Sequence, residues 1–383
     1  MSSQSFPLPN VVEKYRPIIS TSFRDELIGE NAFYNQPDYF ESTQRDLGLT
    51  DNKSLPVAYT WNTEYKIVRI IKKILAIIIF PIGIYNLLHI LAGKVILPAS
   101  SPSLMRYPEN HENHANISRS NISLEGDWKY KRITVEVDGY KVDAMIVGKA
   151  STLNNGRWVL DSNGNSDFYE DKLSNNRKFK EILTEIKGNA IVFNYPGVGA
   201  SSGLPNRQAM AKAYRAILSF LEDKNTGIGA REIIGYGHSI GGGTQGDALK
   251  THVLKKDVKY VFVKSRTFSD LSTTASILTC KPLGFLVKLL GWNMNSISSS
   301  KKLQAPEIIM QTATVEQYEE LHDSSKIFDD RIIPANASLA KALLDDPKCP
   351  RKNKLFIGMI EESNDELKNP SFLAQKIEIF LKA

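Results

Sequence analysis

The sequence predicts an α/β fold: a mostly parallel, doubly wound sheet over residues 128–383, preceded by a hydrophobic, membrane-associating helical segment. Three observations predict it. From residue 128 onward, short strand-forming runs alternate with longer helical stretches, the pattern of βαβ crossovers. The first two runs instead flank Asp138-Gly139, a two-residue hairpin signal. Finally, Glu232-Ile233-Ile234 leads into Gly235-Tyr236-Gly237-His238-Ser239-Ile240-Gly241-Gly242, a strand-to-helix turn with glycines two positions either side of a serine.

Taken in order, residues 1–66 are polar, mixed in charge and rich in proline, without a clear period. Residues 67–98 form the hydrophobic segment. Within them, Ile74 to Gly93 contains no Asp, Glu, Lys or Arg. Such a run is long enough for a bilayer core of roughly 30 Å, at about 1.5 Å per helical residue. Pro81 and Gly83 interrupt it, so the expectation is a kinked span or a re-entrant hairpin. Lys66, Arg69, Lys72 and Lys73 crowd its amino end. A soluble hydrophobic helix pair packed on the sheet is the competing reading. Residues 99–127 read as a polar linker.

Strands are then expected at 131–137 and 141–147 (the hairpin), 158–160, 190–194, 232–235, 260–264, 307–310 and 355–360. Helices are expected at 171–187, 207–223, 241–255, 282–291, 336–345 and 370–382. An apolar stretch, Pro282 to Trp292, could cover an acyl pocket, dip into a membrane or simply join the core.

Composition narrows the function. Hydrophobic content of 42% and charged content of 23% suit one large globular domain with an N-terminal appendage. Net charge is +6, but lysines and arginines are scattered and no nucleic-acid module is present, so no nucleic-acid partner is expected. Two cysteines, Cys280 and Cys349, give neither a disulfide framework nor metal spacing. His111 and His114 lack a third ligand, so no metal or other cofactor is expected. The first 30 residues show no secretory leader pattern.

The glycine-flanked serine implies chemistry. A serine on such a turn can attack an acyl carbon, provided that a base accepts its proton. The backbone N–H of the next residue, Ile240, is then placed to hold the oxyanion.

This arrangement resembles the α/β-hydrolase superfamily over roughly residues 128–383. Besides the elbow, Val192 to Gly203 (VFNYPGVGASSG) is similar to the family's glycine-rich segment, and Asp330-Arg331-Ile332-Ile333-Pro334 to its "Dxx[IV]P" segment. The size, the hydrophobic N-terminal segment and the Ala337-Ser338-Leu339-Ala340 run are similar to a narrower group, the chlamydial 43 kDa proteins and the Legionella secreted lipase-like effectors. That narrower resemblance implies a membrane-associated protein, acting in a host cell if it is a secreted effector.

The superfamily resemblance implies Ser239 as nucleophile, Asp330 as triad acid, and a second oxyanion donor after the 158–160 strand, assigned here to Asn165. It also implies a histidine after the last strand, where this chain has Ser363. His322, in the polar excursion Thr312–Asp329 expected above the strand ends, is the substitute base. The function expected is a membrane-associated serine hydrolase acting on a lipid or other acyl ester. The alternatives are a catalytically inactive hydrolase fold serving as a membrane-bound binding or scaffold module, or an acyltransferase using the same serine.

Overall fold

The computed structural model describes residues 18–19, 54–59, 70–71, 74, 80–101, 104 and 111–383, apart from 124–125, 175–176, 226, 331, 362–366, 368 and 383. One eleven-stranded sheet organises them. Its strands are β1 (Ile18–Ile19), β2 (Ser54–Tyr59), β3 (Trp128–Val137), β4 (Tyr140–Lys149), β5 (Arg157–Ser162), β6 (Asn189–Phe193), β7 (Glu232–His238), β8 (Lys259–Ser265), β9 (Glu307–Thr312), β10 (Glu319–Glu320) and β11 (Lys354–Met359). Their spatial order is β1-β2-β3-β4-β6-β5-β7-β8-β9-β11-β10. From β6 to β11 all neighbours are parallel. β4 is antiparallel to both of its neighbours, as the hairpin requires. Asp138 and Gly139 both take positive φ (48° and 85°), the two-residue turn that matches strand twist.

The parallel strands are buried on both faces, because helices cover each side. Those helices are α1 (Phe80–Ile96), α2 (His111–Ser120), α3 (Tyr169–Ser174), α4 (Arg177–Glu185), α5 (Arg207–Glu222), α6 (Ile240–Leu249), α7 (Leu271–Leu278), α8 (Lys281–Leu289), α9 (Ser296–Lys302), α10 (Leu339–Leu344) and α11 (Pro370–Lys382). One core layer, with Phe193, Tyr214 and Phe262, lies beneath α5 and α6. The other, with Val192, Ile234 and Val263, lies beneath α3, α4 and α11.

Chain order makes one crevice special. After β5 the chain steps to β6 on one side, then returns past β5 to β7 on the other. At such a switch point the crossover helices diverge and leave a cleft at the carboxyl ends of the strands. The loop after β5 and the turn after β7 therefore face each other.

Of the 67–98 segment, residues 70–71, 74 and 80–98 are described and the others lie outside the described residues; no helix among the described residues is long and apolar enough to cross a membrane. Pro81 and Gly83 both fall within α1. Two expectations are corrected. The 99–127 stretch is not merely a polar linker, because it contains α2. There Arg119 is fully buried, donating to Asp143, Glu170 and the Tyr169 hydroxyl. The Thr312–Asp329 excursion does not roof the strand ends. It extends the sheet, β10 pairing antiparallel with β11 and Leu321 and Ile327 packing beneath.

Candidate active site

The turn after β7 holds Ser239 at φ 52° and ψ −116°. A side chain on the left-handed side of backbone space is strained, and such strain persists where the surroundings over-determine it. Here glycines do so. A Cβ on Gly237 would stand 2.7 Å from the Gly242 nitrogen, and one on Gly241 only 2.1 Å from the Ser162 carbonyl oxygen. No larger residue fits either position. The Ser239 N–H is fixed by the Ser265 carbonyl of β8 (2.9 Å), and its hydroxyl makes no capping bond to the helix it precedes. That hydroxyl is thus not committed to the role serine usually has at a helix start.

Ile240 opens α6, so its N–H is among the first four that a helix leaves without an internal partner. The dipole of α6 adds positive potential at the same point. Across the crevice, β5 pairs with β7 in register from Arg157↔Glu232 to Ser162↔Gly237, so the next residues, Asn163 to Asp167, form the facing loop. That loop is anchored throughout. Tyr195 Oη donates to the Asn163 carbonyl (2.8 Å), Asp167 Oδ2 accepts the Gly164 N–H (2.9 Å), and the Asn165 carbonyl accepts the Ala99 N–H (3.1 Å). With the Gly164 N–H taken, the Asn165 N–H is the next donor in line. At the base of the loop Lys172 pairs with buried Asp161 at 2.7 Å.

Asp330 lies beyond β9, two strands from the elbow. It is buried, its Oδ1 accepting the N–H groups of Ile332 (2.7 Å) and Ile333 (2.9 Å). Thr312 Oγ1 approaches its Oδ2 at 3.4 Å. Neighbouring Asp329 is exposed and caps the turn at Ala335 instead. Sequence reasoning missed Arg266 and Thr312. Both donate to the Glu361 carbonyl (3.2 and 2.9 Å), tying together the carboxyl ends of β8, β9 and β11. Nothing local marks them, because all three strands must first be in register.

The histidines fall in separate places. His238 ends β7. Burial above all, and then the Arg266 guanidinium, push its imidazole down to about 4 against the opposing pull of Asp167 and Asp330, so it is neutral at pH 7. His89 of α1 contacts the Leu290 carbonyl (2.7 Å) and the Asn206 amide (2.9 Å). His114 of α2 pairs with Asp171 (3.1 Å). His252 pairs with Glu222 (3.0 Å) beyond the far end of α6.

His322 is not brought to Ser239. Register runs His238↔Ser265↔Met310↔Ile357↔Glu320, and β10 is antiparallel, so His322 moves toward the amino ends of the strands. It lies four strand spacings away, about 19 Å, and about 10 Å lower along the strand direction. It is also exposed. Ser363, at the position expected for a triad histidine, lies outside the described residues.

Comparison with known proteins adds family context. Residues 34–379 match the family described as Chlamydia CHLPS protein (DUF818). The chain is similar, at 24% identity over 176 residues, to the alpha/beta hydrolase domain-containing protein WAV2 of Arabidopsis thaliana. That match covers 44% of this chain and 53% of WAV2, so it spans about half the length of that relative. Among solved structures it is similar to the Pyrococcus furiosus esterase Pf2001 (TM-score 0.48, 14% identity, 67% of this chain and 91% of that one). An alpha-beta hydrolase from Vibrio vulnificus gives a TM-score of 0.44 and 14% identity, over 58% and 75% of the two chains.

Proposed function

The chain belongs to the Chlamydia CHLPS protein (DUF818) family, and we propose that it is a serine hydrolase cleaving acyl esters at a membrane surface. One observation carries the chemical part: the strained backbone of Ser239, enforced by glycines that admit no side chain and placed at the switch point of the sheet. In this reading the Ser239 oxygen attacks the acyl carbon while the Ile240 and Asn165 N–H groups hold the oxyanion. The ester C–O bond then breaks, the alcohol leaves with a proton, and water releases the acyl group from serine. One oxyanion donor typically contributes a factor of about 10²–10³ in rate. The oxyanion contribution does not depend on which group accepts the serine proton.

Asp330 is the acid in this scheme, held in its orientation by the two backbone donors. His322 has no role in it, because of its distance. The test is turnover of a short-chain p-nitrophenyl ester by the full chain. A pre-steady-state burst that disappears in Ser239→Ala supports the proposal, whereas equal slow release by both proteins rejects it.

A second reading, an inactive hydrolase fold used for binding, is favoured by one observation. His238 is the single imidazole that the described residues place at the carboxyl ends of β7, β8 and β9, and it is a weak base. Under that reading the burst is absent from the wild type too.

A further inference from the structure

Two segments some 200 residues apart pack together, and each leaves apolar side chains exposed. The carboxyl half of α1 is seated on the end of α8. His89 Nδ1 contacts the Leu290 carbonyl (2.7 Å), Trp292 Nε1 donates to the His89 carbonyl (3.1 Å), and the two rings stack at 5.4 Å. Gly93 is the contact point, since a Cβ there would lie 2.6 Å from Trp292 Cζ2. Outward-facing side chains remain on both helices. Leu87, Leu91 and Val95 of α1, with Leu283, Phe285 and Leu289 of α8, are each 40–67% exposed. Leaving so many large apolar side chains in water on adjoining helices is costly, and such patches mark interaction surfaces.

Charge says what the surface meets. The chain carries 42 acidic residues, yet Tyr65–Pro108 and Leu271–Pro306, the segments that supply this face, contain none. They do carry basic residues, including the exposed Lys281 and Lys288 on α8. A second copy of the chain would set lysines against lysines with no acid to answer them. An anionic lipid surface answers both the apolar residues and the basic rim.

We propose that the α1–α8 face docks on an anionic phospholipid bilayer, lying in its interface without crossing it. The inference rests on the membrane part of the function proposed above and gives it a location. Docking there also fixes the catalytic crevice relative to the lipid. α1 runs directly into the turn Pro98–Ser100, whose Ala99 N–H holds the Asn165 carbonyl of the oxyanion loop. The substrate class that follows is an acyl ester drawn from the same membrane.

The experiment is flotation of the full chain with vesicles of phosphatidylcholine, with and without phosphatidylglycerol. Wild type and Ser239→Ala should float equally with the anionic vesicles, and be released by high salt. The pair Phe285→Asp and Leu289→Asp should lower the bound fraction about tenfold or more. Circular dichroism should show an unchanged fold, because both side chains point outward. If the double variant floats like wild type, α8 is not part of the dock and the proposed α1–α8 face is overturned. A wild type that never floats rejects the membrane reading itself. A double variant that instead dissociates from dimer to monomer in light scattering gives the face to a second copy and overturns the proposal.

Discussion

Around Ser239 the chain is boxed in: two glycines in contact with backbone, a loop anchored at three successive residues, and strands in unbroken register on both sides. Around Asp330 it is held differently, by a side chain gathering nearby N–H groups at the end of the connection that adds the edge strand β10 to the sheet. The Ser239 half is thus held by packing and strand register on every side, whereas the Asp330 half rests on a connection whose strand, β10, pairs with the sheet through two residues only.

The largest expected effect lies in the buried brace beside the oxyanion loop. Arg119→Met would leave Glu170 buried without its cation, while Asp143 keeps Arg132, and breaking a buried pair costs about 3–5 kcal/mol. Chemical denaturation measures it, and a loss below about 1 kcal/mol would show that α2 is not part of the Ser239 half.

Next comes Gly241→Ala. Its methyl must displace the Ser162 carbonyl, at an expected cost of about 1–3 kcal/mol, with loss of reactivity at Ser239. A fully reactive and stable variant would mean that the elbow tolerates slack.

pH probes His238. Its imidazole titrates at about 4 in the folded chain against an ordinary 6.5, so between those values the unfolded chain binds protons more readily. Stability should therefore fall as pH drops through that window, by up to about 2 kcal/mol once partial exposure of the ring is discounted. His238→Gln should flatten the slope; an unchanged slope would show that other groups set it.

The smallest effect is expected at the edge strand. His322→Ala should change stability by less than about 0.5 kcal/mol and leave ester turnover within about twofold. A large loss of turnover would return His322 to the mechanism.

The same contrast explains what could be read in advance. The hairpin turn at Asp138-Gly139, each strand from β5 to β9 and β11, and the elbow at Ser239 are local patterns, and the strands stand close to where those patterns put them. α2 was hidden because the reason for its burial, the Arg119 pairing with Asp143 and Glu170, joins positions far apart in sequence. β10 was hidden because two residues carry no period, and its pairing with β11 is what turns His322 away from the crevice. Arg266 and Thr312 meet at Glu361 through strand order alone.

A nucleophilic Ser239, presented by strain with donors beside it, is tested by intact-mass measurement of the full chain after exposure to a fluorophosphonate. One added phosphonyl group is expected, mapping to Ser239 and absent from Ser239→Ala, while His322→Ala is labelled like wild type. Equal labelling of wild type and Ser239→Ala, or no labelling of either, would contradict it.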